Sequence, residues 1–222
     1  MRVIAGTFRS RPLLSPRGNL TRPTSDRLRE TLFNILQPRI QGARFADLYA
    51  GTGAVGIEAI SRGARYVLFA ERAEPALANL RANLKSLGIT SGFTVDPRSA
   101  ISALDRSIDR LPDRLPDPSP DRITDRSPAP APTPAPTPAF DIVFLDPPYE
   151  AAAEYINTLA LLGSSRARPL LAPDALIVAE HSSKIPLPAT FGHLHQTRTH
   201  RQGDAALTFF QPKPPAPDLR PA

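Results

Sequence analysis

The chain of 222 residues contains no cysteine. It can therefore form neither a disulfide nor a thiolate metal site, and a cysteine nucleophile is excluded. No apolar run approaches the length of a membrane-spanning helix, and the first residues do not have the pattern of a secretory signal peptide. We therefore expect a soluble, cytoplasmic protein with no membrane partner. No spacing of its four histidines is typical of a metal site, so we expect no bound metal.

Positive charge is concentrated at the N-terminus. Residues 1–44 contain nine arginines and two acidic residues, a net charge of +7, whereas the remainder of the chain nets −1. Such a distribution is typical of an arm that contacts nucleic acid, attached to a near-neutral domain. The arginines that we expect to contact RNA are Arg9, Arg11, Arg22, Arg27 and Arg29.

The first 40 residues predict a small unit of their own. Residues 1–14 alternate apolar and polar side chains around Gly6, which predicts a β-hairpin. Thr24 or Ser25 is suited to cap a helix whose apolar residues recur at helical spacing, and Pro38 should end it. We expect Arg27 and Arg29 to face outward on this helix.

Strand and helix patterns then alternate along residues 41–211. Apolar strand-like runs occupy 45–50, 66–70, 92–95, 142–145 and 175–180, and the helical patterns lie at 54–62, 75–87, 99–104 and 152–162. This order predicts a Rossmann-like α/β fold with a mostly parallel sheet. An antiparallel pair, 193–200 with 206–210, should complete it.

Two segments do not fit a packed core. Residues 105–139 are rich in Pro, Ala, Asp, Arg and Thr and end in Ala-Pro and Thr-Pro repeats, which predicts a disordered insertion. Residues 212–222 are proline-rich, which predicts a flexible tail.

The first strand leads into a glycine-rich loop. Gly51, Gly53 and Gly56 satisfy the pattern G-x-G-x-x-G, and Glu71 lies 20 residues after Gly51. This pattern is shared by NAD-dependent oxidoreductases, which we keep as an alternative. Asp47, at the end of the strand, would repel a pyrophosphate and suits the cationic amino-acid end of S-adenosylmethionine.

A second motif, Asp146-Pro147-Pro148-Tyr149, follows a buried strand directly. It suits methylation of an amino group whose lone pair is delocalised into a ring. Asp146 and the carbonyl of Pro147 can each accept one N–H, Pro148 stiffens the turn, and a flipped base can stack on Tyr149.

With these motifs the chain resembles the RsmD family, bacterial guanine-N2 methyltransferases of 16S ribosomal RNA. The resemblance rests on Arg22 to Thr24 with Asp26 to Asn34, on Asp47 with Gly51 to Ala59 and Glu71-Arg72, and on Phe140 to Tyr149. The arginine-rich N-terminal signature is the specific part, because the other two motifs occur in many amino-methyltransferases.

The resemblance implies a class I methyltransferase fold with a seven-stranded sheet and S-adenosylmethionine as cofactor. It implies that the protein is a monomer and that its partner is 16S ribosomal RNA within a small-subunit particle. The N2 of guanine 966 would accept the methyl group. Asp146 would hold the acceptor amine and would also contact the cofactor. Where such proteins hold the cofactor's adenine with Asp or Asn, this chain offers Ser99, or Asp96 instead. Adenine-N6 methylation of DNA stays open, because Asp-Pro-Pro-Tyr also occurs in those enzymes.

Overall fold

The computed structural model describes residues 1–15, 26–111, 139–148 and 150–213. Most of the predicted insertion, nearly all of the predicted tail, Arg22 and Tyr149 lie outside these ranges.

An eight-stranded sheet organises the described residues. Its spatial order is β3-β2-β1-β4-β5-β8-β7-β6. The first five strands in this order are parallel to one another, and the pairs β5–β8, β8–β7 and β7–β6 are antiparallel. The strands are β1 (Arg44–Asp47), β2 (Tyr66–Ala70), β3 (Phe93–Asp96), β4 (Phe140–Leu145), β5 (Leu171–Ser182), β6 (Thr190–Phe191), β7 (Leu194–Gln202) and β8 (Ala205–Pro212). The predicted α/β class and mostly parallel sheet are confirmed, and the two-residue β6 is one strand more than predicted.

Helices cover both faces of the sheet. They are α1 (Asp26–Ile40), α2 (Ala54–Ser61), α3 (Glu74–Ser86), α4 (Ala100–Asp109) and α5 (Ala152–Leu162). The first three pack on one face and the last two on the other. In β4, Ile142 and Phe144 join the first apolar layer, whereas Val143 and Leu145 join the second. A strand buried on both faces explains the continuous apolar run in the sequence.

Two helix ends differ from the prediction by more than one residue. Helix α1 continues through Pro38, because a proline in the last turn removes only one hydrogen bond while Ile40 gains a buried position. Helix α4 continues to Asp109, because Ile108 and Leu111 pack against the second apolar layer. The predicted start of the insertion at residue 105 was therefore wrong, since 105–109 are helical.

The N-terminal segment, residues 1–15, folds back on itself as the hairpin prediction requires, but its pairing is limited to an isolated bridge between Arg2 and Pro12, without a regular strand. The Val3 N–H donates to the Arg11 carbonyl at 2.9 Å, and the Ser10 N–H donates back to Val3 at the same distance. Gly6 lies against the end of α2 with φ of +80°, and a Cβ there would sit 1.8 Å from the Ser61 carbonyl oxygen. Only glycine permits this close approach.

Buried polar side chains fix the N-terminal segment to the domain. Glu58, which is fully buried, accepts the N–H groups of Ile4 and Ala5 at 2.7 and 3.0 Å. Asn83 accepts the Leu14 N–H at 2.7 Å and donates to the Thr52 carbonyl in the glycine loop at 3.0 Å. The segment is thus part of the same packed layer, and Asn83 links it to the loop.

Replacing Glu58 tests this attachment. We expect Glu58→Ala to lower the free energy of unfolding by about 2–4 kcal/mol, because two backbone N–H groups lose their acceptor. Hydrogen exchange should accelerate first at the amides of Ile4 and Ala5. Glu74→Ala, on a side chain that is 78% exposed, should change stability by no more than about 0.5 kcal/mol. Unchanged protection at Ile4 and Ala5 would contradict the attachment.

Candidate functional site

Five carboxylates lie at one edge of the sheet. Because parallel strands β1 to β5 run in the same direction, their carboxyl ends meet there, and neighbouring strands are about 4.8 Å apart. Each strand carries an acid within or directly after its last residues. In the order of the sheet these acids are Asp96, Glu71, Asp47, Asp146 and Glu180.

Asp47 lies beneath the glycine loop. Its carboxylate accepts the Gly56 N–H at 2.9 Å, and the residue is only 1% exposed. The pKa of Asp47 is raised to about 7: burial is the largest cause, the Gly56 hydrogen bond opposes the rise, and the negative charge of Glu71 adds to it. The observed contact therefore holds the first turn of α2, directly after the loop, and direct contact with a cofactor stays a prediction.

The glycine loop has one open side. Gly51 has φ of +53°, and a Cβ there would meet nothing within 4 Å, so this side of the loop is accessible. The Glu71 carboxylate accepts the N–H groups of Gly51 at 2.8 Å and Ala73 at 2.7 Å. Each oxygen keeps a lone pair that can accept a ribose hydroxyl. Gly53, with φ of +82°, is the residue that precedes α2, and a Cβ there would collide with the Leu80 side chain. These residues fit the predicted nucleoside cofactor.

At the end of β3 both candidates for an adenine contact already have local partners. Asp96 pairs with Arg98 through contacts of 2.8 and 3.2 Å. The Ser99 hydroxyl caps α4, where it accepts the Ser102 N–H at 3.3 Å. The position of both residues beside Glu71 agrees with the expected pocket, and the assignment between them stays a prediction.

The predicted acceptor motif is positioned by a buried tyrosine. Asp146 is partly exposed, Pro147 is buried and Pro148 is exposed. The Tyr155 hydroxyl lies 2.9 Å from the Pro147 carbonyl oxygen and 2.9 Å from the Glu180 carbonyl oxygen. Its single proton can serve only one of them at a time, so the Pro147 carbonyl keeps capacity for a substrate N–H.

Sequence reasoning did not select Glu180 or Tyr155. A signal for Glu180 was present, since the run Ile177-Val178-Ala179 ends in an acid as the other parallel strands do. Tyr155 gave no such signal. It lies on α5 among apolar residues, and only the packing brings its hydroxyl to two strand ends.

The predicted RNA-binding arginines lie in different surroundings. Arg9, Arg11 and Arg27 are exposed. Arg11 donates to the Ser86 carbonyl at 3.2 Å, at the carboxyl end of α3. Exposed guanidinium groups are free to meet phosphates, and their contact with RNA stays a prediction.

Arg29 corrects the prediction that both helix arginines face outward. Its side chain is fully buried; it pairs with Asp26 at 3.0 Å and donates to the Arg2 carbonyl. Burial also lowers the pKa of the Arg29 guanidinium. The outward orientation was wrong because α1 packs its first turn against residues 1–15, and a guanidinium enclosed there cannot contact a phosphate in this conformation.

Within the described ranges, no helix has both the length and the apolar character needed to cross a membrane. The same ranges hold no group of three or more histidine, aspartate or glutamate residues that could hold a metal ion.

The chain is similar to a family of methyltransferases over almost its whole length. A family model described as "Conserved hypothetical protein 95" matches residues 1–114 and 98–211. Ribosomal RNA small subunit methyltransferase D of Haemophilus influenzae is 34% identical, over 84% of this chain and 81% of its own. The Escherichia coli K12 protein of that name is 32% identical, over 95% and 89%. A solved structure described as a methyltransferase, yhhF of Escherichia coli, is 30% identical, covers 96% of this chain and 98% of its own, and gives a TM-score of 0.69.

The buried Asp47 predicts a pH dependence of stability. A carboxyl whose pKa is about 7 in the folded chain and 3.8 in the unfolded chain binds more protons when folded. Stability is therefore lost as pH rises from about 4 to about 7. In ligand-free protein, the difference in free energy of unfolding between Asp47→Asn and the wild type should increase by up to about 4 kcal/mol over that window. Above the window the difference should stay constant. Urea unfolding at several pH values measures this gain, and a gain independent of pH would refute the raised pKa.

Proposed function

The chain belongs to the RsmD methyltransferase family, and on that basis we propose that it methylates the exocyclic N2 of a guanine in small-subunit ribosomal RNA. The cofactor is S-adenosylmethionine, and the acceptor is guanine 966 of the 16S RNA. The protein acts in the cytoplasm as a monomer, on RNA within a small-subunit particle.

The observation that carries this proposal is the position of Asp146 and Pro147. Strand β4 lies beside β1, and the register that pairs Phe144 with Asp47 brings Asp146 next to the glycine loop. A guanine N2 is a weak nucleophile, because its lone pair is delocalised into the ring. Asp146 and the Pro147 carbonyl accept its two N–H groups, which aims the lone pair toward the loop.

The transfer exchanges an S–C bond for an N–C bond. S-adenosylmethionine, when bound, supplies a methyl group on a sulfonium, and the S–C bonding pair stays with sulfur as the thioether product forms. The N2 lone pair forms the new N–C bond, and N2 loses one proton, which the Asp146 carboxylate can accept. Water then carries that proton away.

Residues on β1, β2 and β3 would hold the cofactor. Gly51 permits close approach of the backbone, Glu71 accepts from the ribose hydroxyls, and Ser99 or Asp96 accepts from the adenine amino group. Asp47, when ionised, adds negative potential toward the cationic end. The oxidoreductase alternative has no support from the family, whose named members are methyltransferases.

Asp146→Ala should reduce methyl transfer by at least about a hundredfold and leave cofactor affinity nearly unchanged, because its carboxylate orients the amine. The assay measures transfer of a labelled methyl group to 16S RNA, free and in particles, followed by nucleoside analysis. Calorimetry should show binding of S-adenosylmethionine and none of NAD.

Asp204→Ala is the matched control for this variant. Asp204 lies in the β7–β8 turn with a 63% exposed side chain, so its removal should leave transfer intact. A product of the wild-type enzyme other than N2-methylguanosine would refute guanine N2 as the acceptor. Tight binding of NAD without binding of S-adenosylmethionine would refute the proposed cofactor.

Arg27 and Arg29 form a matched pair on α1. Arg27→Gln should weaken RNA binding and reduce the slope of log affinity against log salt by about 0.7–0.9, because one phosphate contact is lost. Arg29→Gln should instead lower the midpoint of thermal unfolding, since it removes a buried cation from its partners. Fluorescence anisotropy at several salt concentrations and thermal unfolding separate the two effects. An unaltered salt slope in Arg27→Gln would remove that residue from the RNA contacts.

A further inference from the structure

Strand β7 has one half that is exposed to solvent. Residues 197–201, Thr-Arg-Thr-His-Arg, are all exposed, and none of them is apolar or acidic. Its neighbour β8 is buried over residues 206–210. Residues 183–213 contain four lysines and arginines and one acid, a net charge of +3. Arginine and threonine side chains donate hydrogen bonds to phosphate oxygens, so this half of β7 has the chemistry of a phosphate-binding surface.

The pairing of β7 with β8 decides which of these side chains share a face. Leu207 and Phe209 belong to the apolar layer under α1 to α3. Their partners across the pair are His200 and Arg198. Residues directly opposite each other in antiparallel strands lie on the same face of the sheet. Arg198 and His200 are therefore on the face that α1 covers.

The exposed half of β7 lies near the acceptor motif. One row of paired residues runs across the sheet from Leu145 through Ala179 and Thr208 to Thr199. Three strand spacings separate its ends, so the backbone of Thr199 is about 14 Å from the residue that precedes Asp146. Strand β7 is parallel to β5, because both are antiparallel to β8. The residues after Thr199 therefore approach the carboxylate edge.

Helix α1 continues this surface toward the N-terminus. The Thr31 hydroxyl lies 3.0 Å from the side-chain oxygen of Gln202, the last residue of β7. Arg27 is one helical turn before Thr31 on the same side of α1, and it is exposed. Arg27, Arg198 and His200 thus form one basic surface, the α1–β7 surface.

Arg198 is held in place by an aromatic ring. The centre of its guanidinium lies 4.5 Å from the centroid of Phe209. A guanidinium stacked on a ring keeps N–H groups at its rim that can meet a phosphate. Because the side chain is already ordered, binding costs less conformational entropy than it would for a mobile arginine.

We propose, on the basis of the function proposed above, that the α1–β7 surface binds the phosphate backbone of the ribosomal RNA beside the target nucleotide. Arg198 and Arg27 each contact a phosphate, and His200 lies against the same stretch of backbone. The RNA is then held by the C-terminal hairpin as well as by the N-terminal arginines. The separation of about 14 Å lets a nucleotide flipped out of the bound strand reach the acceptor motif.

The test measures binding of the full chain to a 16S RNA fragment that contains the target nucleotide, by fluorescence anisotropy at several salt concentrations. Arg198→Gln should reduce the slope of log affinity against log salt by about 0.7–0.9, because one phosphate contact is lost. His200→Glu leaves the Arg198–Phe209 contact in place and adds a negative charge. It should lower affinity by about three- to tenfold at low salt and by less at high salt, because salt screens the repulsion.

Arg65→Gln is the matched control. Arg65 is an exposed arginine directly before β2, at the opposite end of the parallel strands, so its removal should leave the slope unchanged. Thermal unfolding checks that each variant is folded.

Each result has one meaning. An unchanged slope in Arg198→Gln, an equal reduction in Arg65→Gln, or unchanged affinity in His200→Glu overturns the proposal. If Arg198→Gln does not fold, His200→Glu decides alone. Weaker association with the assembled particle but not with the RNA fragment overturns RNA as the occupant in favour of a protein. A wild-type chain that binds the RNA without methylating it refutes the proposed function, whereas methylation with an unchanged slope in Arg198→Gln refutes only this surface.

Discussion

The common direction of five neighbouring strands is the constraint on which the site depends. It brings five acids to a single edge, where their mutual repulsion must be offset. Asp47 is buried and has a raised pKa, Asp96 pairs with Arg98, and Glu71 receives two backbone N–H groups. The edge is thereby suited to a ligand rich in donors and positive charge, and a nucleoside sulfonium beside a guanine edge has both properties.

The N-terminal segment belongs to the same structural unit as the sheet. Glu58 holds its backbone and Asn83 connects it to the glycine loop, so a segment that first suggests a separate RNA-binding arm shares the domain core. This gives a physical route by which RNA bound at the N-terminus could bias the loop that receives the cofactor. The division into an arm of residues 1–40 and a domain of 41–211 stays a prediction.

Local patterns predicted the elements well, and their errors have tertiary causes. The bounds of β2 and α5 agree with the prediction, because apolar periodicity and the flanking residues are unambiguous there. Pro38 and the end of α4 were misjudged, because burial of Ile40 and packing of Ile108 outweigh local helix-ending signals. The two-residue β6 is too short to leave a periodic signal.

The sequence by itself determined the fold class and the positions of the glycine loop, Glu71 and the Asp146–Pro148 turn after their strands, because each depends on a short run of residues whose local geometry is nearly fixed. Tertiary structure decided the remainder. It buried Arg29, placed Asp47 beneath the loop rather than at its open side, and brought Tyr155 to Pro147 and Glu180. The reason is that burial and hydrogen bonding between residues distant in sequence depend on strand order and register, which no local pattern encodes.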